Sequence, residues 1–436
     1  MKVLLGIWIN KKPEDNKKQV DQALEHAKKY PEIVRGIIVG NEVLLRRDQN
    51  GAELAAIIKD VKSRTHHPVT YADVWEFWLK NPELSKIVDF ITIHTLPYWE
   101  DIPIEVSKAA AHIDATRKHV AETFPGKEIL IGEVGWPSAG RMREGALPSL
   151  SNQARLLDEV TKYARQGNYR FNWIEVIDQP WKRKSEGTVG GYWGLFAAGE
   201  SRPKFLPGEA VSDHPHWKAQ AASGIGLAAL ILGLSAAFAA RRRDPLPAGT
   251  WLLVGVIALT SGAFVGLMIE KLVLESLRSI DWIFGAVRAA VMVAAAIAGA
   301  LALVTGAPAP VLSRAFGTGP RAATAAGRAL DFLFVAVCFF ALQSALALVF
   351  DPRYRDFPAA TLTMGIVPFL LLGFRNRDVA ARTGERFLAT GALLTAPWVV
   401  FIEGFANWQA LWFALTLGGV ALLLAGMRAN GKMQEQ

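Results

Sequence analysis

Two kinds of hydrophobic pattern divide the chain. Up to residue 218, short β-rich runs alternate with amphipathic stretches. The runs are Lys2–Ile9, Val34–Gly40, Pro68–Asp73, Val88–His94, Glu128–Gly132 and Phe171–Ile177, and the helix-like stretches include Asn16–Tyr30, Gly51–Ser63, Ile104–Thr123 and Ser151–Gln166. Strand-helix alternation of this kind predicts a parallel sheet, either doubly wound or closed as a (β/α)8 TIM barrel. No glycine-rich phosphate loop follows the first strand, which disfavours a nucleotide fold. In a barrel the chemistry belongs at the C-terminal ends of the strands.

From Ala219 onward the pattern changes to long apolar runs. Ala219–Ala240, Trp251–Ile269, Trp282–Val304 and Leu330–Phe350 are each long enough for about 30 Å of hydrocarbon, and the more broken Ala359–Phe374, Phe387–Gly404 and Trp408–Met427 follow. Neighbouring helices can satisfy the carbonyls freed by Pro368 and Pro397. The expected organisation is a barrel over 1–210, a linker over 211–218 and an all-α polytopic membrane domain of about seven spans over 219–430. The ionisable residues Arg288 and Glu403 are expected to snorkel toward the interface.

Loop arginines give an orientation. Arg241, Arg242, Arg243, Arg314, Arg321, Arg328, Arg375, Arg377, Arg382, Arg386, Arg428 and Lys432 alternate with loops that carry only Lys271, Arg278, Arg353 and Arg355. The bias predicts a multi-pass inner (cell) membrane protein with a cytoplasmic C-terminus and the first 218 residues on the periplasmic or extracellular side.

Composition agrees with this division. The 436 residues are 51% hydrophobic with a net charge of +8, too apolar for a single soluble globule. Most of the net positive charge lies in the apolar half, and no basic stripe accompanies it, which argues against nucleic acid. The single cysteine, Cys338, excludes disulfides and thiolate metal sites. His66-His67 and His214-Pro-His216 lack a third ligand at sensible spacing, so no metal or other cofactor is expected.

The strand ends carry the candidate chemistry. Asn41 and Glu42 end one strand and Glu133 another. Two glutamates across a barrel mouth are either the acid/base and nucleophile of a retaining glycosidase, about 5 Å apart, or two solvated loop residues. His94, at a further strand end, reads as a substrate hydrogen-bonder or a satisfied mouth residue. Trp8, Trp75, Trp78, Tyr98, Trp99, Trp136 and Trp181 suit either sugar stacking or packing.

Longer words surround these residues: Ile38-Val-Gly-Asn-Glu-Val43, Gly132-Glu-Val-Gly-Trp-Pro-Ser138, Glu175-Val-Ile-Asp-Gln-Pro-Trp-Lys182 and Gly191-Tyr-Trp-Gly-Leu-Phe196. In this order, over about the first 205 residues, they closely resemble glycoside hydrolase family 17, the retaining β-1,3-glucan hydrolases and transglycosylases. Joined to membrane helices, the domain looks like the bacterial proteins commonly called β-(1-6)-glucan synthases. The resemblance implies Glu42 as acid/base, Asn41 as holder of the 2-hydroxyl and Glu133 as nucleophile. Because they adjoin the family words, Tyr98, Trp136 and Trp181 are the favoured stacking residues. Asp178 and Lys182 either contact substrate or pair with each other. The implied partners are β-glucan, the lipid bilayer and a glucan synthase or export complex.

The chain also departs from the family. In His94-Thr-Leu-Pro-Tyr-Trp99, Leu96 replaces a tyrosine found in plant members. Counting back from Glu42 makes Lys2–Ile9 the third barrel strand, so the first two strands and an export signal are expected upstream of Met1. A plain β-1,3-glucanase and a non-catalytic glucan-binding protein are the alternatives to a transglycosylase that elongates or branches glucan. A nucleotide-sugar polymerase is excluded by the absence of Asp-x-Asp and Gln-x-x-Arg-Trp elements.

Overall fold

The computed structural model describes residues 2–316, 324–375 and 383–426. These divide into two compact units. The first holds 1–138, 145–178 and 193–211, and the second holds 139–144, 179–192 and 212–436.

The first unit is built on six parallel strands in chain order, β1 (Val3–Ile7), β2 (Val34–Asn41), β3 (Val69–Val74), β4 (Ile91–His94), β5 (Ile129–Val134) and β6 (Phe171–Trp173). They form a curled, TIM-like half-barrel. The connecting helices are α1 (Pro13–Lys29), α2 (Gly51–Ser63), α3 (Trp75–Lys80), α4 (Val106–Thr123) and α5 (Leu150–Gly167). Strands β3 and β4 are buried along nearly their whole length, as expected where both faces of a parallel sheet are covered, whereas β1, at one edge, alternates between partly exposed and exposed positions. Asn50 caps α2 through a reciprocal capping box with Glu53, and this fixes where the helix begins after the β2 loop. The sheet register pairs Asn41 with Ala72, Val74 with His94 and His94 with Glu133. The C-terminal ends of β2 to β5 are therefore level, and the residues on them converge.

The second unit is helical: α6 (Arg183–Glu186), α7 (Trp217–Ala239), α8 (Ala248–Glu275), α9 (Ser279–Thr305), α10 (Leu312–Ala315), α11 (Ala325–Phe350), α12 (Ala359–Arg375), α13 (Thr383–Glu403) and α14 (Trp408–Ala425). Among the described residues six helices are long and apolar enough to cross a membrane, and the seventh apolar helix, α12, has 17 residues. Helices α7 and α8 approach backbone to backbone, since a Cβ at Gly224 would lie 2.4 Å from the Gly262 carbonyl oxygen. Glu403 does not snorkel. It is 7% exposed and ion-paired with Arg141, while Arg288 pairs with Glu275 at 3.3 Å. A carboxylate with a buried guanidinium partner has no reason to reach for water. Arg321, Arg377, Arg382, Arg428 and Lys432, five of the residues behind the expected orientation, lie outside the described residues.

Candidate active site

The chain turns sharply as it leaves β2. Gly40 has φ +87°, and a Cβ there would lie 2.5 Å from the Val43 side chain, so only glycine fits. Glu42 itself takes φ +53°, a conformation that costs a non-glycine residue energy and persists only where the surroundings hold it. They do so through β3. Glu42 N–H donates to the Ala72 carbonyl at 2.8 Å, Leu44 N–H to the Tyr71 hydroxyl at 3.0 Å and to Asp73 Oδ2 at 3.2 Å, and Leu45 N–H to the same oxygen at 3.4 Å. The Tyr71 hydroxyl donates to Asp73 as well. Burial raises the Asp73 pKa above the usual carboxylate range, against the hydrogen bonds from Tyr71 and Val74, and the nearby Glu42 charge adds to the rise. Asp73 and Tyr71 were not singled out from sequence. The available signal was an acid ending a strand that is otherwise apolar.

Glu42, His94 and Glu133 each bring one donor atom within 4.8 Å of the others. His94 Nδ1 lies 3.0 Å from Glu42 Oε1 and 3.7 Å from Glu133 Oε2. The glutamate side chains are 24% and 20% exposed and the imidazole 2%, so the carboxylates face the opening and the ring lies beneath them. Gly132 leaves room for it, since a Cβ there would come within 3.3 Å of the imidazole and 2.4 Å of Thr92.

Burial alone would lower the His94 pKa, but the charge of Glu133, the hydrogen bond and charge of Glu42, and the charge of Asp73 together raise it. The folded value therefore stands above the unfolded value of about 6.5. A raised pKa contributes stability that is fully present below the unfolded value and is lost as pH rises through the folded one. The unfolding temperature of the chain should fall as pH climbs above the ordinary histidine range, and His94→Gln should remove that slope. Parallel profiles for the two proteins would contradict the raised His94 pKa.

The remaining candidates are placed differently. Tyr98 and Trp136 are 0% exposed and pack edge-on at 6.2 Å, with Trp193 also against Tyr98 and stacked on Trp99. The Trp136 indole N–H donates to the Leu147 carbonyl. The two rings are packed behind the strand ends, with no open face for a sugar. Trp181, in the second unit, is 61% exposed, with Lys182 Nζ 6.0 Å from its ring. Asp178 is buried, bonded to Lys204 Nζ at 2.8 Å and accepting from Gly194 N–H. Asn41 is half-buried at the end of β2, beside Glu42.

Residues 1–194 match the family model described as the BtgE/BtgC glycoside hydrolase domain. The chain is 29% identical over 221 residues to a glucan 1,3-beta-glucosidase of Arthroderma benhamiae, a match that covers 47% of this chain and 70% of that protein. It is 26% identical to the glucan endo-1,3-beta-glucosidase btgC of Emericella nidulans over 49% of this chain, but only 36% of that much longer protein. Among solved structures, an active-site mutant of Rhizomucor miehei beta-1,3-glucanosyltransferase in complex with laminaritriose is 28% identical, with a TM-score of 0.41, over 49% of this chain and 77% of that one. Over its first 194 residues the chain is thus similar to the BtgE/BtgC glycoside hydrolase domain and to family 17.

Proposed function

We propose that the protein is a retaining transglycosylase of β-1,3-glucan, with Glu133 as nucleophile and Glu42 as acid/base. The observation that carries this reading is the convergence of the two carboxylates, within 4.8 Å of each other and of His94, on the ends of two parallel strands. That is the short separation of a double displacement, too close for a water to sit between the carboxylates as an inverting mechanism requires. In the first step Glu133 attacks the anomeric carbon while Glu42 gives its proton to the leaving oxygen, and Asn41 holds the 2-hydroxyl. In the second, Glu42 takes a proton from the incoming hydroxyl as it displaces Glu133. No cofactor is needed.

Transfer rather than hydrolysis depends on a sugar hydroxyl outcompeting water at about 55 M, which positioned groups with effective molarities of 10⁵ M or more readily do. An acceptor presenting its 3-hydroxyl gives elongation, and one presenting its 6-hydroxyl gives a β-1,6 branch. The apolar helices hold the enzyme in the membrane, and the loop arginines favour a periplasmic or extracellular barrel with a cytoplasmic C-terminus. A glucan synthase or exporter would then supply the chain to be remodelled.

The test is to incubate the protein with laminari-oligosaccharides and separate products by mass and linkage. Products longer than the substrate are expected. Glucose and short oligosaccharides alone, even at high substrate concentration, would make it a plain hydrolase.

A further inference from the structure

Between residues 40 and 47 the chain takes the left-handed conformation three times, at Gly40, at Glu42 and at Arg47, where φ is +56°. Only the first of these is a glycine. A glutamate held at positive φ relaxes to an ordinary conformation unless its surroundings forbid it, and the relaxation turns its carboxylate away. Two restraints pin this turn, both from within the first unit. On the side of β1, Arg46 donates to the Asn41 carbonyl and, at 2.8 Å, to the Ile9 carbonyl. On the side of β3 the restraint is Asp73, with Tyr71 beside it.

Asp73 is 0% exposed and follows Ala72, the residue that pairs with Asn41 across β2 and β3. Its Oδ2 accepts from Leu44 N–H, Leu45 N–H and the Tyr71 hydroxyl, and its Oδ1 accepts from Val74 N–H at 2.8 Å. Four donors meeting one carboxyl group suit an ionised carboxylate, whose oxygens only accept. An asparagine of the same shape has one accepting atom. In one orientation it loses Val74 N–H, and in the other it loses the Tyr71 hydroxyl and both loop amides. The bonds it keeps are neutral, about half as strong as charge-assisted ones. Leu44 N–H would still have the Tyr71 hydroxyl at 3.0 Å, and Arg46 would still hold the other side. Loss of the carboxylate therefore loosens and re-aims the turn without unfolding it.

We infer that Asp73, supported by Tyr71, is a positioning residue for the reaction: it touches no substrate and holds the turn that aims the acid/base carboxylate of Glu42. The inference rests on the proposed function. A displacement of about 1 Å at a reacting group can cost on the order of a hundredfold in rate. The residues that Asp73 holds, Leu44 and Leu45, follow Glu42 closely, whereas Glu133 stands two strands away on β5. The loss should therefore fall on the step in which Glu42 gives its proton, and not on the attack by Glu133. The charge of Asp73 also acts on His94, which lies near both glutamates, so the test must separate that route from the turn.

The experiment uses the full chain in lipid nanodiscs. It reads amide hydrogen exchange over residues 42–48, and kcat/KM on laminari-oligosaccharides and on an aryl β-glucoside whose leaving group departs without a proton. Asp73→Asn should speed the exchange at least about tenfold and lower kcat/KM on the oligosaccharides by about ten- to a hundredfold. On the aryl glucoside the loss should shrink to about threefold or less, following the pattern of Glu42→Gln. In a chain already carrying Glu42→Gln, Asp73→Asn should cost no more than about a further threefold, because a missing acid needs no aiming. An effect carried through His94 to Glu133 would persist in that background. Thr70→Val takes a buried hydroxyl, bonded to the Phe90 carbonyl at 2.7 Å, from the other end of β3, and any loss it causes should be equal on both substrates. Should Asp73→Asn fail to fold, Tyr71→Phe carries the test by removing one donor to Asp73 and one acceptor of Leu44 N–H, with a smaller change of the same pattern expected. Equal losses of Asp73→Asn on the two substrates, a loss that multiplies with that of Glu42→Gln, faster exchange with wild-type kcat/KM, or a loss without faster exchange would each overturn the inference. An inactive wild-type chain would refute the proposed function instead, and the exchange rates would still show whether Asp73 holds the turn.

Discussion

Glu133→Gln is expected to reduce turnover of laminari-oligosaccharides by about 10⁴-fold or more, because an amide cannot form the glycosyl-enzyme and no other group replaces the nucleophile. Glu42→Gln should cost about 10² to 10⁴, the usual contribution of a general acid. The two losses should also differ in kind. An aryl β-glucoside whose leaving group departs without a proton needs no acid in the first step, so the Glu42→Gln loss should shrink on it, whereas Glu133 is required for every substrate. The assay is steady-state kinetics of both variants on both substrates, with circular dichroism to show that the fold is kept. Equal losses on the two substrates would contradict the roles that the family resemblance implies for Glu42 and Glu133.

Asp178→Ala should be among the most destabilising single changes in the first unit. Lys204 is held in a poorly solvated place, where burial lowers its pKa and the Asp178 charge and hydrogen bond work against that lowering. With side chains 9% and 5% exposed, the pair has little water to fall back on. Removing the carboxylate leaves the ammonium buried without its counter-charge and Gly194 N–H without its acceptor, at a cost of about 3–5 kcal/mol. Asp178→Leu combined with Lys204→Met should recover most of that loss, since an apolar pair of similar volume avoids the desolvation altogether. Urea denaturation of the single and double variants checks this. A single variant within about 0.5 kcal/mol of wild type would show that the pair contributes nothing.

Much of the fold was legible in the sequence because it depends on local pattern. The apolar run Val34–Gly40 became a strand from Val34 to Asn41, and Gly51–Ser63 became a helix with those bounds. The two glutamates were legible as strand-end residues inside family words. What sequence could not give was anything set by register or by long loops. That His94 lies between both carboxylates follows from its pairing with Glu133 across β4 and β5, and no spacing along the chain reveals such a pairing. The aromatic residues illustrate the same limit. Tyr98, Trp136 and Trp181 all read as sugar platforms, yet burial separates the first two from the third, and burial is a property of the assembled cluster with Trp99 and Trp193. Asp178 was read as contacting substrate or pairing with Lys182, and its bond to Lys204, 26 residues away, had no signal in the sequence. Arg141 and Glu403 are 262 residues apart, beyond any local signal.

The central claim is a double displacement by Glu133 with Glu42 as acid and base. The stereochemistry of the first product tests it most directly. Proton NMR of the sugar released in the first minutes from laminari-oligosaccharides, before mutarotation scrambles the anomers, should show the β-anomer ahead of its equilibrium proportion. Initial release of the α-anomer would mean a single inverting displacement and would contradict the account.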